Sequence, residues 1–410
     1  MSIDPRRSAS TRHGRDPRDP GPDICAEAIR QTLASHTGDL RALILSGSLA
    51  RGEGSVAMDG EHCRVLGDAE FLAVFADGAR RPTASAIRAT AARIQAALRE
   101  GRVSCPITLS AVPEGYLRAL RPAIFAYELR SCGRVIWGDP TVLQRIPELS
   151  AQKIPMEDAW RLLCNRLIEQ VEVMPSPGDS DALMSSEARY RLVKLHLDMA
   201  TSLLVFAGEY EPTYRGRSER LGGLARRAAR ADEHPFPLEP FARTVEACTR
   251  WKLENSGSNP PSLSLTAALD QAHQLWRWEL VRLTGTLANP VTDQALLETL
   301  LARQSAAERA RGWLYVARRC GWHRSWRLWP RWVRLARRGS PRYLVYSAAC
   351  QVLFAGAPAR SPEARAAVDS IATSDLPVVR PSEGSAASPW SEAVADIAFN
   401  YREFLVDTRA

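Results

Sequence analysis

The sequence predicts an α+β fold in which a small N-terminal domain built on a mixed sheet precedes a mainly α-helical C-terminal region. Three observations carry the prediction. From Ile24 to about Ser150, apolar runs of strand length alternate with helical periodicities. Beyond Pro155 the strand signals stop and long amphipathic helical patterns take over. The chain has 410 residues, room for two or three domains with substantial cores. The expected divisions are a disordered tail at 1–23, a mixed α/β domain at 24–150, a helical bundle at 151–290 and a basic, Trp- and Arg-rich helical region at 291–410.

The tail, Met1 to Asp23, is rich in Arg, Asp, Pro and Ser and has no apolar core, so it reads neither as a secretory signal nor as a folding element. An opening helix follows at Ile24 to Ser35, then strands at Arg41 to Leu45 and Ala69 to Phe75. The Ala-rich stretch Ala84 to Glu100 sets Ile87, Ala91, Ile94 and Leu98 at helical spacing, a face suited to covering a sheet. A strand at Pro106 to Val112 and a helix running into a short strand, Ile124 to Trp137, complete the domain. In the helical region, Met156 to Ile168 ends in the Pro- and Gly-containing loop Met174 to Asp181. Glu187 to Ala207 is a second long helix, stopped by Gly208 at a position suited to a left-handed cap. Helices are expected at Phe236 to Lys252 and Ser264 to Leu283, around the polar loop Glu254 to Pro261, with Trp276 and Trp278 as core residues. The tail is helical at Pro341 to Phe354, loose from Gly356 to Pro389, and helical again from Trp390 to Asp407.

Composition narrows the function classes. Eight scattered cysteines without a Cys-x-x-Cys pair, and seven dispersed histidines, argue against a disulfide framework and a zinc site. No apolar run approaches the roughly eighteen residues of a membrane helix, so the expected location is cytoplasmic, at most peripheral at the inner membrane face. The net charge of +8 comes from arginine far more than lysine. It concentrates in residues 303–342, which hold twelve arginines against the single acid Glu308, and tryptophans at 313, 322, 326, 329 and 332. On a helix Trp322, Trp326, Trp329 and Val333 share one stripe and Arg324, Arg327, Arg331, Arg334 and Arg338 another, with Pro330 expected to kink or restart it. The Trp face either completes a helical core or lies on an anionic membrane surface. Nucleic acid ranks last, because base-reading motifs are absent.

The motif that bears most directly on chemistry is the apolar run Ala42 to Leu45 closing in Ser46-Gly47-Ser48, followed by Arg51-Gly52 and then by Asp68-Ala69-Glu70 at the head of Phe71 to Phe75. Gly47 lets backbone approach an anion, and Ser48 and Arg51 carry donors for phosphate oxygens. Side chains alternate along a strand, so Asp68 and Glu70 point the same way about 7 Å apart along the chain, where one divalent ion could bridge them. Two carboxylates plus substrate phosphates suit Mg2+ and not zinc. Each half of this pattern also arises as an ordinary turn or by chance; the joint order is the informative part.

In this order the segment resembles the polymerase-beta-like nucleotidyltransferase superfamily, and in particular its bacterial members of the kanamycin-nucleotidyltransferase type, which join a small catalytic domain to a helical one. Gly47, Ser48, Asp68 and Glu70 match the family's Gly-Ser and Asp-x-Glu places. The resemblance implies Asp68 and Glu70 as catalytic and metal-binding residues, and a nucleoside triphosphate held by Gly47, Ser48, Arg51 and Lys194. The acceptor it implies is a small hydroxylated molecule. Lys194 has a competing reading as an i, i+4 ion pair with Asp198. Asn165-Arg166 either faces a cleft or bonds neighbouring helices. The chain departs from the family in two ways. The spacer is about twice the usual length, so Val56 to Gly67 reads as an insertion, and Asp59-Gly60-Glu61 offers a rival pair, though His62-Cys63-Arg64 follows it where a strand should be. The third carboxylate of the family is also missing: Thr108 and Ser110 stand at its place, with Glu114 and Glu128 further on. That leaves a substitute base, slow chemistry, or a catalytically silent nucleotide-binding or scaffold protein.

Overall fold

The computed structural model describes residues 19–36, 38–172, 185–227, 233–254, 260–286, 292–356, 375–378, 380 and 389–404. It is an α+β protein: among the described residues the sheets lie in the N-terminal part and the C-terminal part is mainly helical. The chain divides into two compact units, one drawn from 1–121, 126–149 and 251–259, the other from 122–125, 150–250 and 260–410. The helices after residue 290 belong to the same unit as those from 150 onward, so the boundary expected there does not separate compact units.

In the first unit, α1 (Gly21–Ser35) leads into β1 (Leu40–Ser46), the short α2 (Gly47–Ala50), β2 (Val56–Asp59), β3 (His62–Val65) and β4 (Ala69–Phe75). There follow α3 (Ala84–Glu100), β5 (Val103–Ser104), β6 (Ile107–Pro113), α4 (Glu114–Arg118), α5 (Ile124–Cys132) and β7 (Arg134–Gly138). The helix α1 opens three residues before the expected start, inside the segment assigned to the tail. Its first turn holds Pro22, whose missing N–H costs nothing where no intrahelical acceptor exists, and Asp23, which suits the positive helix end.

The main sheet has the order β6-β4-β1-β7, with β1 antiparallel to β4 and β7, and β4 parallel to β6. Leu43 and Leu45 of β1 and Phe71, Ala73 and Phe75 of β4 share one buried cluster with Ile87, Ile94 and Leu98 of α3 and Ile24 and Ala28 of α1. The stripe read on Ala84 to Glu100 is therefore core, and Thr83 caps that helix by accepting from the Ala86 amide at 3.2 Å. The stretch read as an insertion is the β2–β3 hairpin, extended by a parallel pairing of β3 with β5.

In the second unit, α6 (Met156–Val171) pairs with α7 (Ser186–Phe206), followed by α8 (Tyr214–Arg227), α9 (Leu238–Glu254), α10 (Leu265–Thr284) and α11 (Asp293–Arg303). Then come α12 (Ala306–Cys320), α13 (Trp322–Arg338), α14 (Pro341–Gly356) and α15 (Pro389–Phe404). The loop expected at Met174 to Asp181, most of Glu254 to Pro261, and nearly all of Gly356 to Pro389 lie outside the described residues. Gly208 stops α7 as expected: at φ +70° it lets the Glu209 amide reach back to the Leu204 carbonyl (2.9 Å) and its own amide to Val205 (3.0 Å). Asn165 and Arg166 bond neighbouring helices. The Asn165 Oδ1 accepts from the Tyr346 hydroxyl at 2.7 Å, and the Arg166 Nε donates to Asp198 at 2.6 Å.

Trp276 is buried as expected, while Trp278 is only half-buried, under the Arg282 guanidinium at 3.5 Å from its ring centre. Pro330 does not break α13, which runs continuously. It occupies the exposed side, where the Trp326 carbonyl left without its usual amide partner can be met by water. Among the described residues no helix is long and apolar enough to cross a membrane.

Glu279 on α10 is fully buried and accepts from the Ser202 hydroxyl on α7 at 2.6 Å. Burial pushes its carboxyl from 4.5 up to about 8, with the Ser202 hydrogen bond pulling the other way. The folded state thus holds a proton that the unfolded chain releases near 4.5. The stability this proton contributes is fully present below that pH and is lost as pH rises through about 8. Denaturant titrations of the wild type from pH 4.5 to 8 should show stability falling with pH by up to about 5 kcal/mol relative to Glu279→Gln, which lacks the titration.

Candidate functional site

The pairing of β1 with β4 fixes the geometry. Ser46, the last residue of β1, stands opposite Glu70, the second of β4, and Glu70 is in turn registered with Thr108 on β6. Because partners across a sheet share a face, Ser46, Glu70 and Thr108 lie on the side opposite the core shared with α1 and α3. They also sit at one end of the sheet, where β1 leaves and β4 and β6 begin. Asp68 falls just before β4. Its Oδ2 accepts a hydrogen bond from the Thr108 Oγ1 at 3.0 Å, which draws it to the same end. Both acids are half-buried, neither sealed in the core nor fully in water.

Gly47 turns the chain out of β1 at φ +70°, a conformation that penalises any side chain. The Glu70 carboxylate packs against it: a Cβ at Gly47 would lie 3.2 Å from the Glu70 Cδ and 3.3 Å from its Oε1. The Ser46 hydroxyl reaches the same residue, 3.4 Å from its carbonyl and 3.5 Å from its Oε2. The glycine-serine bend and the second acid therefore meet, and the first acid is tied to the adjoining strand. The rival pair behaves differently. Asp59 and Glu61 are exposed at the tip of the β2–β3 hairpin, and Glu61 pairs with Arg102.

Ser48 is half-buried in α2, and its carbonyl accepts from the Glu53 amide at 2.8 Å, which closes the loop. Arg51 lies beneath this loop with its side chain 5% exposed, donating from Nε to Glu53 at 3.1 Å and from Nη1 to Glu128 on α5 at 2.7 Å. It fastens the bend to α5, a role the sequence reading did not assign. Lys194 stands on α7 in the helical unit, half-buried, with its Nζ 5.7 Å from the centre of the Tyr190 ring.

The third strand carries Thr108 and Ser110 beside Glu70 and Leu72, with no acid at either place. Of the later candidates, Glu128 holds Arg51 and Glu114 pairs with Arg145. Among the described residues no group of three or more His, Cys, Asp and Glu side chains forms a metal-binding cluster.

One residue near this loop escaped the sequence reading. Lys252, in the last turn of α9 and within the first unit, is buried and donates to the Ser55 Oγ at 2.9 Å, and Ser55 returns a 3.3 Å hydrogen bond to its carbonyl. The two are 197 positions apart, so no local pattern links them. The usable signal was compositional: only three of the 54 basic residues are lysines. A compact ammonium fits a small buried polar site that a guanidinium would overfill.

No protein-family model matches the chain, and no curated protein shows significant sequence similarity to it.

Gly47→Ala should lower stability by about 1–2 kcal/mol, since the new methyl both strains the bend and presses on Glu70. Chemical denaturation measures the loss. Gly52→Ala shares the positive φ of +70° but meets nothing within 4 Å, so it is the control that isolates the Glu70 contact.

Proposed function

We propose that the protein is a metal-dependent nucleotidyltransferase, moving a nucleoside monophosphate from a nucleoside triphosphate to a hydroxyl of a small acceptor. The observation that carries the reading is the meeting of Glu70 with the Gly47 bend while Asp68 is held to the neighbouring strand by Thr108. Two half-buried carboxylates at one end of the sheet, with hydroxyls beside them, are a donor set of the kind magnesium takes when substrate phosphates complete its shell. Asp68 and Glu70 would hold the ion, which when bound supplies charge neutralisation for the phosphates. Ser48 offers its hydroxyl to a phosphate oxygen, and the Gly47 bend brings backbone near it. Arg51, engaged by Glu53 and Glu128, keeps that bend in place. The work left to the chain is positioning: aligning the acceptor oxygen, the α-phosphorus and the departing pyrophosphate, where most of the rate of such transfers arises. The reading rests on the first unit alone; Lys194 carries no part of it.

A second reading is favoured by one observation. Thr108 and Ser110 occupy the strand positions beside the pair, and a hydroxyl cannot take a proton from an attacking hydroxyl near neutral pH. On that ground the site holds a nucleotide without transferring it, as a catalytically silent binding or scaffold protein.

Isothermal titration of the full chain with each nucleoside triphosphate, with and without Mg2+, tests both. Magnesium-dependent binding weakened at least about tenfold by Asp68→Asn is expected, since an ionic ligand contributes more than about 1.4 kcal/mol. Pyrophosphate release on adding hydroxylated acceptors selects the transferase; binding without release selects the silent form. No magnesium-dependent binding of any nucleoside triphosphate contradicts both.

A further inference from the structure

We propose that the outer face of α13 docks the protein on an anionic membrane surface. The helix has 17 residues and packs inward through Trp332 and Leu335, both nearly fully buried. The Trp332 indole donates to the Pro377 carbonyl at 2.8 Å and stacks near Trp313 of α12. Its other side is turned outward and is apolar: Trp326 is 69% exposed, Trp329 60% and Val333 41%. At about 100° per residue these three lie within one narrow stripe. Two uncovered indoles and a valine in line make an apolar patch of a kind that water-facing helices seldom carry.

The charge beside that stripe identifies what covers it. Arg327, Arg334, Arg337 and Arg338 are exposed and follow the stripe along one flank. Arg331 and Arg338 are turned to the fold, donating to the Leu376 carbonyl and to Asp375. Arg327, Arg334 and Arg337 are left as the outward cations beside the indoles. Across residues 303–342 twelve arginines face one acid, and that acid, Glu308, caps α12 through Ser305. The surface is therefore complementary to a densely anionic partner. The apolar and cationic zones run side by side along the helix, as they do in helices that lie in the bilayer interface. Indoles and aliphatics there sink below the headgroups, while arginines meet the phosphates. Val333, one turn beyond Trp329 in line with the indoles, has no use in stacking on nucleic-acid bases, but belongs in an acyl boundary. The inference is independent of the nucleotide site.

The test is co-sedimentation of the full chain with phosphatidylcholine vesicles and with vesicles carrying about a third phosphatidylglycerol, with brominated acyl chains to report indole depth. Binding to the anionic vesicles alone is expected, weakened by salt and accompanied by quenching. Trp326→Ala/Trp329→Ala should weaken it at least about tenfold, because two indoles leave the acyl boundary. Arg327→Gln/Arg334→Gln should weaken it about 10–30-fold. Both pairs are exposed, so melting temperatures should match the wild type; a marked drop would mean the face is packed in the fold and overturns the proposal. So does equal binding to neutral vesicles, no vesicle binding, or vesicle binding that the variants leave intact. Self-association or nucleic-acid binding that the same substitutions abolish, without vesicle binding, assigns the face elsewhere and overturns it too.

Discussion

The register between β1 and β4 is the constraint on which the candidate site depends. Leu43 and Leu45 opposite Ala73 and Phe71 put their side chains into the core shared with α1 and α3. A slip of one residue would turn all of them outward, and burial of that much apolar surface forbids it. Once those pairs are set, Ser46 must stand opposite Glu70 and the chain must leave β1 at Gly47, against the carboxylate. The acids are thus placed by hydrophobic forces acting one to five residues away.

Around that point the fastenings are polar and specific. Thr108 draws Asp68 toward β6, and Arg51 ties the bend to α5 through Glu53 and Glu128. Buried ion pairs of this kind add little net stability, but breaking one leaves an uncompensated charge, so they hold position more than they stabilise. The helical unit is fastened by largely buried arginines as well, one in an ion pair and one on neutral acceptors. Arg166 joins α6 to Asp198 of α7, and the buried Arg217 of α8 donates to the Tyr210 hydroxyl at 2.7 Å and to the Glu211 and Pro212 carbonyls, beneath the ring of Tyr214.

How much of this was legible follows from the range of the forces involved. The helix over Ala84 to Glu100 and the strand over Ala69 to Phe75 were readable to the residue, because helical spacing and an apolar run of strand length are local signals. That Asp68 and Glu70 stand at the head of a buried apolar strand was readable too, whereas the strand His62–Val65 after Asp59 and Glu61 was not. Partnerships across the fold were not. Glu128 lies 77 positions from Arg51, and Lys252 lies 197 from Ser55; a phosphate ligand and a structural brace look alike until the partner is seen. The Arg- and Trp-rich segment was readable as amphipathic, but not which tryptophans go inward. Trp332 lies off the expected stripe and is buried, while Trp326 and Trp329 on the stripe face out. That α13 continues through Pro330 was not readable, because the cost of a proline depends on whether the freed carbonyl meets water.

The account stands or falls on Asp68 and Glu70 acting together as a cation seat. Manganese(II) titration of the full chain, followed by water-proton relaxation with and without nucleoside triphosphate, tests this most directly. The account predicts one nucleotide-enhanced site per chain that disappears in both Asp68→Asn and Glu70→Gln, with the fold intact by circular dichroism. A site that survives either substitution, or the absence of any such site in the wild type, contradicts it.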